Sequence, residues 1–227
     1  GVLEGLDRRL KRGPGLQDVA WATDGVKAKS RELVQHAYRD AASFLATLSD
    51  EQLVRARRQF ERDNRKFARE HGVGAPAEEQ RRLRAKDDLE RIEHWTGPLD
   101  SDQRARFIAL SEAQPLAASL RHQECMRRQR EFLALLEKRH DPTFPPRLRD
   151  WLLDWNASRP DDVEERLEAH QQARNKMLLA IFEQLRPDQQ RRVSERLRWY
   201  VDAMRDLSRA RQQADAAAAH PAARSVP

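Results

Sequence analysis

Cysteine, glycine, aromatic residues and long apolar runs are all scarce in this chain, and each scarcity removes a class of architecture or chemistry. The single cysteine, Cys125, excludes an intramolecular disulfide and leaves the redox compartment open. With only 8 glycines, the chain contains neither a glycine-rich phosphate loop nor a nucleophile elbow. No apolar run approaches the length of a membrane span, and the mean hydropathy is -0.92. No stretch alternates in the way a half-buried strand requires. Metal motifs are missing too. His122 and Cys125 share a helical face but have no second half-site. Glu137-Lys-Arg-His140 has the spacing of a di-iron helix, yet no second such pair exists. His36, His71, His94, His170 and His220 are scattered and read mostly as solvated. No catalytic residue, metal ligand or cofactor is nominated, and the chain reads as a non-enzyme.

Charge is what the chain has in plenty: 35% of its 227 residues are Asp, Glu, Lys or Arg, with a formal net charge of +6. The signs are interleaved. Residues 77–95 carry Arg81, Arg82, Arg84 and Arg91 among Glu78, Asp87, Asp88, Glu90 and Glu93, a pattern of solvated faces with i,i+4 pairs. This composition favours long helices with narrow apolar seams.

One piece of punctuation returns three times. Leu48-Ser-Asp-Glu-Gln52, Leu99-Asp-Ser-Asp-Gln103 and Leu185-Arg-Pro-Asp-Gln189 each close one helical pattern and open the next. Ser49 and Asp100 are N-cap residues, and Gln52 and Gln103 sit where a capping box reaches back to the cap. Arg186 is a poor cap, but Pro187 suits the first helical position.

Between these marks the pattern predicts helices over 24–47, 50–71, 77–95, 101–113, about 116–140, 147–155, 160–183 and 187–211. A short basic helix over 2–12 precedes them, and Asp141–Pro146 is the longest irregular connection. In 24–47 the stripe is Val26, Leu33, Ala37, Phe44 and Leu45, with Trp21 just before it. The resulting expectation is an all-α, elongated stack of antiparallel helical hairpins with about seven or eight helices. Residues 1–23 read as an N-terminal segment, part of a trimmed region, 24–211 as one elongated domain, and 212–227 as a disordered tail.

The polar constellation singled out is Asn64, on the seam side of 50–71, with Arg84, Arg91, Glu93 and Trp95 on 77–95. The short glycine-proline loop between these helices implies a shared antiparallel seam, with Trp95 near Leu53. Glu93 points away from Arg91 and implies a partner on a third helix. An inward asparagine usually sets register and an Arg–Glu pair usually ties helices together, so the expected role is architectural, with partner binding as the other reading.

Phe60-x-x-x-Asn64-x-x-Phe67, Arg81-Arg82-x-Arg84, Arg91-x-Glu93-x-Trp95-x-Gly97-x-Leu99 and Arg127-Arg128-Gln129, together with the helix starts, carry a resemblance. Over about residues 25–210 the chain resembles a family of Gram-negative bacterial lipoproteins of unknown function. A weaker resemblance, through Leu48 and Gln52, Leu99 and Gln103, and Leu185 and Gln189, is to periplasmic chaperones of the Spy and CpxP type. What these imply is a periplasmic protein, membrane-anchored in its full-length precursor through a lipid absent from this chain. Its partner would be a polypeptide or an envelope component, bound in a chaperone-like way. The alternative is a basic helical nucleic-acid binder, motivated by the pI of 9.9 alone; nucleic acid is not the expected partner.

Overall fold

Helix capping sets the divisions of the fold. The computed structural model describes residues 15–219 and contains, among them, eight helices and no strand: α1 (Leu16–Ala46), α2 (Asp50–Glu70), α3 (Ala77–Thr96), α4 (Ser101–Glu112), α5 (Ala118–Glu137), α6 (Phe144–Leu153), α7 (Asp161–Glu183) and α8 (Pro187–Ala219). The protein is all-α. The expected helix over 2–12 lies outside the described residues.

Two of the helix starts are complete capping boxes. Ser49 Oγ accepts from Gln52 N at 3.3 Å while Gln52 Oε1 accepts from Ser49 N at 2.8 Å. Asp100 and Gln103 repeat the exchange at 2.8 and 3.4 Å. Arg186 offers no cap, yet its N–H still donates to Gln189 Oε1 at 3.0 Å, so half of the box survives. The end of α2 is a Schellman turn: Val73 N–H reaches Ala68 O and Gly72 N–H reaches Arg69 O, with Gly72 at φ 61°.

Several boundaries differ from the sequence pattern. α1 begins at Leu16, so Trp21 lies inside it rather than before it. Its expected stripe is only partly inward: Val26, Leu33 and Phe44 are exposed, Ala37 is half-buried, Leu45 packs against the core, and Ala42 is the buried apolar residue. Pro145 and Pro146 belong to the first turn of α6, where a proline loses no intrahelical bond, and the connection before it falls instead at 138–143. α6 stops at Leu153, leaving Trp155 outside the helix and exposed. α8 continues to Ala219, beyond the expected end at 211, through alanine-rich residues of high helix propensity.

The apolar core is divided. One cluster joins α3, α4 and α7 through Ile92, Leu99, Phe107, Met177, Ile181 and Leu185, with Val193 of α8 packed against it. The other joins α1, α5 and α6 through Ala42, Leu136, Phe144 and Leu148, with Leu53 of α2 against it. The expected seam between α2 and α3 does not form. α2 packs along α5, while α3 packs on α4 and α8. Arg57–Glu137, Asn64–Gln129 and Phe67–His122 run in opposite order along α2 and α5, which makes that pair antiparallel. No residue of α2 is fully buried, so α2 lacks the apolar seam that would hold it against α3 as well.

Candidate functional site

Four helices turn one face each toward a shared groove of about 850 Å³ between the two core clusters. On α2 the face is Phe60, Asp63, Asn64 and Phe67; on α3 it is Gln80, Arg84, Asp87, Asp88 and Arg91. Leu167, His170, Arg174 and Leu178 give the face of α7, and α5 contributes the stripe from Arg121 to Phe132. These spacings of three and four residues are the helical repeat, so each face is set by local structure alone.

One end of the groove is cationic. Arg84 sits at the end of α4, donating from Nη1 to Pro115 O at 2.8 Å and from Nη2 to Gln114 O at 2.9 Å. Its Nε is buried with no partner. Arg174 donates to Asp88 Oδ1 at 2.8 Å, and the other oxygen of this buried carboxylate accepts from Ser111 Oγ at 2.6 Å. Burial lowers the pKa of Arg84, with repulsion from Arg81 and Arg174 acting in the same direction. The desolvating walls of the groove also lower that of Arg121, although its side chain keeps much of its surface in solvent, and Arg174 and Arg91 act in the same direction. His170 is held below its ordinary value by burial and then by Arg121, Arg174 and Arg84. It is half-buried, with Nδ1 unpartnered, rather than solvated.

The middle is a charge network centred on Glu124, which is 6% exposed. It accepts from Arg127 at 2.6 and 2.9 Å, from Arg128 at 3.1 Å and from Arg159 at 2.9 Å. Those bonds, that of Arg127 foremost, bring its pKa down to about 2 against the cost of burial. Arg127 also bridges to Glu131 at 2.6 Å, and Trp151 Nε1 donates to Glu131 at 3.2 Å. At the far end Phe132 stacks on Trp151 with centroids 5.3 Å apart.

The five constellation residues do not form one cluster. Asn64, Arg84 and Arg91 all line the groove, from different walls. Asn64 donates to Gln129 Oε1 at 2.7 Å, and Arg91 pairs with Asp87 on its own helix at 3.1 Å. Glu93 has its partner on a third helix, Arg104 of α4. Trp95 lies away from Leu53, against Tyr200 of α8 and under Arg196, whose guanidinium is 5.5 Å from the ring.

The helix-start residues divide differently. Gln103 and Gln189 are both 2% exposed and bond to each other, Gln103 Nε2 to Gln189 Oε1 at 2.9 Å and Gln189 Nε2 to Gln103 Oε1 at 3.2 Å. Leu99 and Leu185 enter the same core cluster. Gln52 stays exposed, and the first start is held instead by Arg139, which donates to Leu48 O at 2.8 Å and to Asp50 at 2.7 Å. Gly97 sits between the second start and α8, in a backbone conformation that favours glycine. It stands at φ 81°, and a Cβ there would meet Arg192 Nη1 at 2.0 Å.

Sequence reasoning did not find Arg121, Glu124, Arg159, His170 or Arg174. They lie on α5, on the connection before α7 and on α7 itself, and each reads locally as one more charge or, for His170, as a solvated histidine. His122 stacks on Phe67 at 5.6 Å and Cys125 is exposed. Glu137 pairs with Arg57 at 3.0 Å. Among the described residues, no group of three or more His, Cys, Asp or Glu is arranged to hold a metal.

No curated protein and no solved structure matches the chain. A family model covers residues 15–164, from α1 into the first turn of α7, and so takes in three of the groove's four helix faces whole. The chain thus belongs to the family of unknown function DUF6279.

Proposed function

We propose that the protein is a non-enzymatic binding protein of the bacterial envelope, receiving a polypeptide segment or an envelope component in the four-helix groove. The observation that carries this reading is the groove itself. It is about 850 Å³, within the range of ligand sites, with the Phe132–Trp151 stack at one end and Arg84, Arg121 and Arg174 at the other. An architectural role alone would fill such a space with packed side chains. The periplasmic, lipid-anchored setting is the one implied by the resemblance to Gram-negative lipoproteins. It is compatible with the fact that, among the described residues, no helix is long and apolar enough to cross a membrane.

Cys125 lines the groove and is the chain's single cysteine, so it gives a specific reporter position. A fluorophore on Cys125 should respond saturably to a permanently unfolded polypeptide or to a solubilised envelope fraction. A bulky adduct at the same sulfur should block both. No response to either probe counts against the reading. Duplex DNA and RNA titrated at two salt concentrations test the nucleic-acid alternative, for which a steep loss of affinity with salt is the signature.

A further inference from the structure

Arg121 differs from the other arginines of the groove. Arg91 pairs with Asp87, Arg128 and Arg159 with Glu124, Arg174 with Asp88, and Arg84 with backbone carbonyls. The Arg121 guanidinium has no hydrogen-bond or ion-pair partner among the described residues, although it lines the groove beside Arg84, Arg174 and His170. Unpartnered polar atoms therefore gather at this end: the solvent-facing Arg121 fork, with the buried Nε of Arg84 and Nδ1 of His170.

The charge is also unbalanced. Three guanidinium groups, Arg84, Arg121 and Arg174, face Asp88, because Asp87 is engaged by Arg91. Like charges held together this way destabilise the empty protein, and an anion would relieve them. Three positive charges against one negative leave an excess that matches a phosphate monoester dianion better than a carboxylate. Guanidinium forks also suit the geometry of phosphate oxygens.

We propose that Arg84, Arg121, Arg174 and His170 form a phosphate-binding subsite at the cationic end of the groove. The subsite rests on the groove being a binding site, and it assigns the ligand class for this end. From Arg121 to Phe132 the α5 axis rises roughly 16 Å, so an apolar chain attached to the phosphate can reach the Phe132–Trp151 stack.

Two probes separate the sources of phosphate: inorganic phosphate and dodecyl phosphate, each titrated calorimetrically, with dodecanol as the uncharged control. Binding of inorganic phosphate alone, with no gain from the chain, assigns a free ion. Tighter binding of dodecyl phosphate assigns a lipid-type headgroup. Both support the subsite if Arg121→Gln weakens binding roughly ten- to hundred-fold, the range for losing a charge-assisted hydrogen bond. Arg121 is exposed and holds nothing in place, so this variant should fold. In phosphate-free buffer it should melt at the same or a higher temperature than the native protein, while losing the stabilisation phosphate confers. Neither phosphate binding, or binding unchanged by Arg121→Gln, overturns the subsite. If the Cys125 reporter still answers unfolded polypeptide in that event, the groove reading stands without it; silence toward every probe overturns both.

Discussion

Gln103 and Gln189 exchange amide hydrogen bonds in the interior, each at the third position of its own helix, and so clasp the starts of α4 and α8. Both amides are also tied to backbone, Gln189 Nε2 to Pro98 O at 3.1 Å and Gln103 Nε2 to Gln184 O at 3.4 Å. Removing one amide strands the other. Gln103→Leu or Gln189→Leu should each cost about 1–3 kcal/mol. The double variant should cost less than the sum of the two, since neither leucine leaves an unpaired amide. Urea unfolding of all four proteins measures the coupling, and additive costs would contradict the clasp.

Glu124 makes stability acid-sensitive. Its carboxyl is at about 2 in the folded protein against 4.5 for the free group, so its contribution is complete above pH 4.5 and is lost as pH falls toward 2. The shift corresponds to about 3 kcal/mol. Glu124→Gln should remove that contribution at neutral pH and flatten the stability profile between pH 4.5 and 2. A variant as stable as the native protein at pH 7 would refute the network's role.

Trp95 and Phe107 should respond unequally. Phe107 is 1% exposed in the core cluster, and Phe107→Ala should cost about 3–5 kcal/mol. Trp95 is only half-buried, on Tyr200 and Arg196, so Trp95→Ala should cost about half as much or less. Thermal or urea denaturation ranks the two, and a reversed order would place Trp95 in the core after all.

Arg139 ties the end of α5 to the first helix start. It is 7% exposed and bonds Leu48 O and Asp50 across 91 and 89 residues of chain. Arg139→Ala should cost about 1.5–3 kcal/mol, for hydrogen bonds made by a charged group. Hydrogen exchange should show the first turn of α2 opening sooner, with α8 unaffected; uniform loss of protection would contradict a local tie.

The limits of the sequence follow from what periodicity encodes. Ser49 with Gln52 and Asp100 with Gln103 are contacts within four residues, so capping chemistry placed those helix starts directly. The face of each helix was legible in the same way. Which faces meet was not. The short loop after α2 suggested a seam with α3, but Phe60 and Phe67 are drawn to α5, and the polar faces of α2 and α3 diverge across the groove. The glutamines read as caps because capping is local, whereas their mutual bond spans 86 residues. Arg121, His170 and Arg174 carried no signal, since their significance depends on which carboxylates are absent nearby in space.

A crystal structure of the protein with dodecyl phosphate decides whether the groove is a ligand site with a phosphate-binding end. The phosphate should lie within hydrogen-bond distance of Arg121, near Arg174, Arg84 and His170, with the alkyl chain running toward Phe132 and Trp151. A groove closed by side chains, or a phosphate bound elsewhere while Arg121 remains free, would contradict it.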